Sequence, residues 1–211
     1  MDNTILEQIR QAAWERLSGN GSGHDYYHAE RVARTAVRFA RQEGADPLVC
    51  TAAGYLHDYG RSECSGPSHT GPEVMRSILL ILNSSGMDQR RIAMTLECIA
   101  GHEHHSQAAG AVPRLLESRI LQDADRLDAM GAIGIARTFL YAGAHGEAMY
   151  RPELGRKNRN AGTAIGHFHD KLLTLSSGMY TDSGRRAAKR HHETLVQFLD
   201  AFYAQWDGEQ D

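Results

Sequence analysis

The sequence holds few cysteines, no surplus of basic charge and no long apolar run, and each shortage removes a class of protein. The three cysteines in 211 residues, Cys50, Cys64 and Cys98, are odd in number and form no CxxC pair, which argues against both a disulfide framework and a zinc knuckle. A reducing, cytoplasmic setting is the expectation. Twenty-three Lys and Arg against twenty-six Asp and Glu leave a formal charge of −3, so the chain has no global basic surface for holding nucleic acid through its phosphates. A local cationic pocket stays open. No apolar stretch approaches the roughly 20 residues of a membrane span, and the opening "MDNTILEQIRQAAWERL" lacks the basic start and continuous apolar core of a signal peptide. Convincing alternating strands, low-complexity tracts and internal repeats are missing too. A composition of 41% hydrophobic and 23% charged residues is that of an ordinary globular chain, read here as one domain over 1–211.

What the sequence does have is helical periodicity almost throughout. In "HAERVARTAVRFARQ", residues 28–42, Val32, Ala36, Phe39 and Ala40 recur at three- and four-residue spacing while Arg31, Arg34 and Arg38 take other faces. Asp25 is a plausible N-cap for this helix, and "SGNGSG" separates it from a helix at 4–17. "DPLVCTAAGYLHDYG" enters a third helix at Asp46, with Pro47 in its first turn, and closes it near Gly60. Further helices are predicted at about 70–84, 87–100, 113–128, 130–142, 160–176 and 182–206. The polar loop within 143–162 is among the least structured parts.

Twelve histidines are the compositional anomaly. "GHDYYHAERV" places His24, Asp25 and His28 on the opening turns of one helix, and "LHDYG" sets His57 beside Asp58 after an apolar stretch. A buried aspartate costs several kcal/mol unless something neutralises it, and a cation would do so; equally, Asp58 could cap a neighbouring helix while His57 satisfies a carbonyl. "RILQDADRLDAM" carries Asp123, Asp125 and Asp128 among apolar positions. These acids could pair with Arg119 and Arg126 at the surface. Asp125 and Asp128 share a face at i,i+3, so one can bind metal while the other positions a water, a histidine or Arg126.

A His followed by "xxRV", an adjacent His-Asp pair and an "ADRL" aspartate, in that order, resemble the HD-domain metal-dependent phosphohydrolases. "LQDADRLDAMGAIGIARTF" and "GHFHDKLLTLSSGMYTDSGRRAAKRHHETLVQFLDAF" further resemble the YedJ/YpgQ-like bacterial subgroup, so the likeness covers nearly the whole chain. It implies a compact all-α, multi-helix HD-domain fold with a metal site between core helices. About 20–130 would form the metal-binding core, and the helices of about 131–211 would complete the pocket. His28, His57, Asp58 and Asp125 match the family's metal-ligand positions.

Two imidazoles and two carboxylates suit a divalent cation and do not by ligand type alone select among Mn²⁺, Mg²⁺, Fe²⁺, Co²⁺, Ni²⁺ and Zn²⁺; Mn²⁺ is the leading expectation. Such a cation lowers the pKa of a bound water and polarises a phosphoryl oxygen. The implied partner is a phosphorylated small molecule, a nucleotide first of all, with no nucleic acid and no membrane; a homo-oligomer is compatible. Asp58, His102, Arg61 and Asp128 are the candidates for the catalytic machinery. His69, Arg31 and Arg61 are the candidates for holding substrate, with Arg156, Lys157 and Arg159 as further cations. A single metal is favoured, with His69 and His102 near the phosphate. His24 would support the site or simply start its helix. His167, His169, His191 and His192 read as packing or surface residues. The cyclic-dinucleotide "GYP" motif is missing, and Arg61 stands where nucleotidase relatives carry a glutamate. By resemblance to the YedJ/YpgQ-like subgroup, the leading expectation is a (deoxy)nucleoside triphosphate pyrophosphohydrolase. A phosphodiesterase or phosphomonoesterase of the same superfamily, or a metal or nucleotide sensor without turnover, are the alternatives.

Overall fold

The computed structural model describes residues 2–19, 24–61, 70–102, 112–156 and 162–208. Helices dominate, as the periodicity predicts: α1 (Asp2–Leu17), α2 (Tyr26–Glu43), α3 (Pro47–Leu56), α4 (Pro72–Ser84), α5 (Gln89–His102), α6 (Leu116–Asp128), α7 (Gly131–Ala144), α8 (Ala164–Asp170) and α9 (Asp182–Trp206). Among the described residues no sheet forms; a lone bridge joins Ala148 to Thr163. Among the described residues, no helix is long and apolar enough to cross a membrane.

The capping residues act as their chemistry requires. Asp25 accepts the His28 N–H at 2.9 Å, and Gly44, at a left-handed φ of 76°, closes α2. Asp46 accepts the N–H groups of Leu48 and Val49 at 2.9 and 3.3 Å, with Pro47 supplying the preset φ of a first helical turn.

The chain divides into two compact units, Met1–Asp125 and Arg126–Asp211. In the first, α3 is buried along its whole length from Leu48 onward, so its neighbours surround it: α2 packs most extensively against it, and α1 and α5 also contact it. Gly54 sets the closest approach. A Cβ there would lie 2.5 Å from the Ala33 Cα, so the α2 and α3 backbones touch where any other residue would force them apart. Gly54→Ala is accordingly expected to lower stability by roughly 1–3 kcal/mol through overpacking. Thermal unfolding should show this as a fall in Tm of about 2–12 °C; an unchanged Tm would mean that the helices separate without cost.

In the second unit α7, α8 and α9 share an aromatic core. The Phe168 and Phe198 rings stack at 5.5 Å, and Phe139 packs against both. The single helix expected over 160–176 is two pieces: α8 stops at Asp170, and a 3₁₀ segment, Leu172–Gly178, follows. Hydroxyls explain the change. Thr174 donates to the Lys171 carbonyl at 2.8 Å and Ser177 to the Thr174 carbonyl at 2.8 Å, and such local bonds compete with the regular helical ladder.

Candidate metal centre

His28 sits in the first turns of α2, fixed by the Asp25 cap, and points into the first unit with no solvent exposure. His57 and Asp58 stand just past α3, which ends at Leu56 rather than near Gly60. The difference is functional. Adjacent residues of a regular helix diverge by about 100°, whereas here Tyr59 N–H bonds to the Leu56 carbonyl (3.1 Å) and Arg61 N–H to the Asp58 carbonyl (3.0 Å). In this tighter turn both side chains reach one point, with His57 Nε2 3.5 Å from Asp58 Oδ2. Asp125 arrives on the last turn of α6 and His102 on the final residue of α5.

Four groups meet closely. His28 Nε2 lies 3.2 Å from His57 Nε2, 3.3 Å from Asp125 Oδ1 and 3.5 Å from Asp58 Oδ2, and His57 Nε2 lies 3.9 Å from Asp125 Oδ1. Three overlapping triads, His24/His28/Asp58, His28/His57/Asp125 and His57/Asp58/His102, each bring their donor atoms within 4.8 Å. His57 Nδ1 faces the Gly54 carbonyl at 2.9 Å. A carbonyl only accepts, so Nδ1 donates to it and Nε2 is the ring atom that faces the cluster.

Burial alone would raise the Asp58 carboxyl, but His57, the His24 hydrogen bond, Arg61 and His28 together hold it well below the usual carboxylate range. Asp125 is likewise raised by burial and brought well below that range by the His28 contact and the nearby His102 and His57. Both are therefore anionic at neutral pH. The His28 and His57 Nε2 atoms each face an oxygen of Asp58 and one of Asp125 at 3.3–3.9 Å, separations that ligands about 2.0–2.2 Å from a cation can show. This donor set fits a divalent cation. The Asp125 side chain keeps 22% exposure against 2% for Asp58, so the cluster is not sealed.

The other expected site residues are distributed unevenly. His102 is buried, with Nε2 3.6 Å from Asp125 Oδ2 and its ring 4.8 Å from that of His57. Arg61 Nε donates to Asp58 Oδ1 at 2.7 Å. His24 Nδ1 lies 2.9 Å from Asp58 Oδ2; facing an ionised carboxylate, it is the donor. Asp128 pairs with Arg137 at 2.7 Å, a partner the sequence did not suggest. Arg31 is half-buried on α2. Asp123 is fully buried, which overturns the surface ion-pair reading, and Arg119 instead donates to the Pro113 carbonyl at 2.7 Å. Arg156 pairs with Asp207. His167 is exposed, and His169 meets the Tyr203 hydroxyl at 3.0 Å. His191 and His192 are half-buried rather than fully at the surface; the ring of His191 lies where a Cβ on Gly131 would meet it. His69, His104, His105, Lys157 and Arg159 lie outside the described residues.

Two supporting residues carry no motif signature. Gly54 lets α3 approach α2 and gives its carbonyl to His57. Gln122 Nε2 donates to the Gly101 carbonyl at 3.0 Å, tying the end of α5, beside His102, to the helix that carries Asp125.

Comparison with known proteins agrees with this geometry. The HD domain family model matches residues 25–130. The Bacillus subtilis protein YpgQ is 32% identical over 193 residues, covering 92% of this chain and 89% of its own. Among solved structures, an HD-superfamily hydrolase from Bacillus thuringiensis is 31% identical with a TM-score of 0.80, covering 98% of this chain and 99% of the other. Bacillus subtilis YpgQ in complex with ADP is 29% identical with a TM-score of 0.76, covering 97% and 96%. With a buried His/Asp cluster suited to a cation within the matched region, the chain belongs to the HD-domain superfamily, is closely related to the bacterial YpgQ-like proteins, and is a metal-dependent phosphohydrolase.

Proposed function

We propose that the enzyme is a (deoxy)nucleoside triphosphate pyrophosphohydrolase whose divalent cation, Mn²⁺ first of all, is held by His28, His57, Asp58 and Asp125. The observation that supports this reading is that His28 Nε2, on α2, lies 3.2–3.5 Å from a donor atom of each of His57, Asp58 and Asp125, which come from the turn after α3 and from α6. When bound, the cation would supply Lewis-acid polarisation of a phosphoryl oxygen and a water acidic enough to attack near neutral pH. In the reaction water adds to the α-phosphorus, the bridge to the β-phosphate breaks, and a nucleoside monophosphate and pyrophosphate leave. A nucleotide is favoured because the YpgQ relative has been crystallised with ADP.

His102, beside the partly open Asp125 carboxylate, is assigned proton transfer or charge stabilisation at the phosphate. Arg61 commits its Nε to Asp58, and its terminal nitrogens are assigned to the phosphates; Arg31 and His69 are assigned there on the sequence resemblance alone. Asp128 is assigned a supporting role one turn beyond Asp125. Stripping metal and returning it one ion at a time, with a panel of nucleoside and deoxynucleoside triphosphates, tests the proposal. Pyrophosphate release that returns with Mn²⁺ is expected. Orthophosphate instead of pyrophosphate would reassign the enzyme to phosphomonoesterase chemistry, and nucleotide binding without any release would make it a sensor.

A further inference from the structure

Asp58 is gripped from both sides. Its Oδ1 takes the Arg61 Nε–H at 2.7 Å, and its Oδ2 takes the His24 Nδ1–H at 2.9 Å. The two donors come from different places, His24 from the residue before the α2 cap and Arg61 from the turn that follows α3. Oδ2 is also the oxygen that faces the His28 and His57 Nε2 atoms, each at 3.5 Å.

We infer that His24 and Arg61 are positioning residues that clamp Asp58 so that it meets the cation through Oδ2 alone. This rests on the metal-site assignment proposed above. With Oδ1 committed to a guanidinium, a chelating, two-oxygen mode is unavailable without breaking a charge-assisted bond. Oδ2 keeps a second lone pair after accepting from His24, so the His24 bond and coordination are compatible. The clamp fixes where that lone pair points. Hydrogen bonds to a ligating carboxylate orient it for the metal, and losing such an outer partner typically weakens metal affinity by roughly 10- to 100-fold.

The test is Mn²⁺ affinity by chelator competition on the full chain without nucleotide, which separates the clamp from any phosphate contact of Arg61. His24→Leu and Arg61→Met should each weaken binding by about 10- to 100-fold. His24→Asn, whose side-chain N–H₂ can stand near the Nδ1 position, should recover most of the loss. Circular dichroism should show all three folded. Wild-type affinity in both His24→Leu and Arg61→Met would overturn the clamp. So would a His24→Asn variant as damaged as His24→Leu, since His24 would then act as a ligand or a packing residue. Asp58→Ala measured alongside separates the two levels: if it too binds Mn²⁺ normally, the metal-site assignment itself has failed, whereas if it alone loses metal, only the clamp has.

Discussion

Asp58→Ala should abolish metal binding and hydrolysis together. The substitution removes an anionic donor from a site whose other members include two neutral imidazoles, and the charge is what most favours a divalent cation there. Its carboxylate is held ionised by His57, His24, Arg61 and His28 against the burial that would raise it. Because loss of an outer partner already costs roughly 10- to 100-fold, loss of a direct ligand should exceed that range, with turnover falling in parallel. Asp58→Asn is a useful companion: it preserves the shape and removes the charge, so it separates a metal defect from a packing defect at a residue only 2% exposed. Metal content by atomic spectroscopy beside steady-state kinetics checks both. Normal metal content with normal turnover in the alanine variant would remove Asp58 from the site.

His102→Ala should behave in the opposite way, keeping the metal while losing rate. Its Nε2 lies 3.6 Å from Asp125 Oδ2, on the more exposed of the two carboxylates, where a substrate phosphate can approach. General acid–base groups typically contribute about 10²- to 10⁴-fold, so kcat should fall by that order with Mn²⁺ affinity close to wild type. A fall in kcat and kcat/KM by equal factors would place its contribution in the transition state. Loss of metal from His102→Ala would instead bring His102 into coordination, consistent with its triad with His57 and Asp58, and would favour a two-metal centre.

Local features were readable from the sequence because their causes are local. Asp25 and Asp46 cap the helices that they precede, and α9 runs over the residues its periodicity indicates. The order of His28, His57–Asp58 and Asp125 pointed to the cluster because the family resemblance preserves that order. What stayed hidden depends on residues brought together from afar. The bond from His24 to Asp58 spans 34 positions, and the Gln122 latch to Gly101 spans 21. Gly54 carries no sign in the sequence that α2 lies against it. The end of α3 is not legible in the sequence because "YLHDYG" continues a helical pattern, while the chain tightens after Leu56 and brings His57 Nε2 near Asp58 Oδ2. Asp128 offered no sequence clue to Arg137, nine residues ahead on the next helix.

The most direct test of the four-residue centre is a crystal structure of the protein soaked with Mn²⁺, read by anomalous scattering. One peak is expected, within about 2.0–2.3 Å of His28 Nε2, His57 Nε2, Asp58 Oδ2 and an Asp125 oxygen. A peak held by other residues, or one from which Asp125 or His57 stands more than about 5 Å away, well beyond coordination distance, would contradict it.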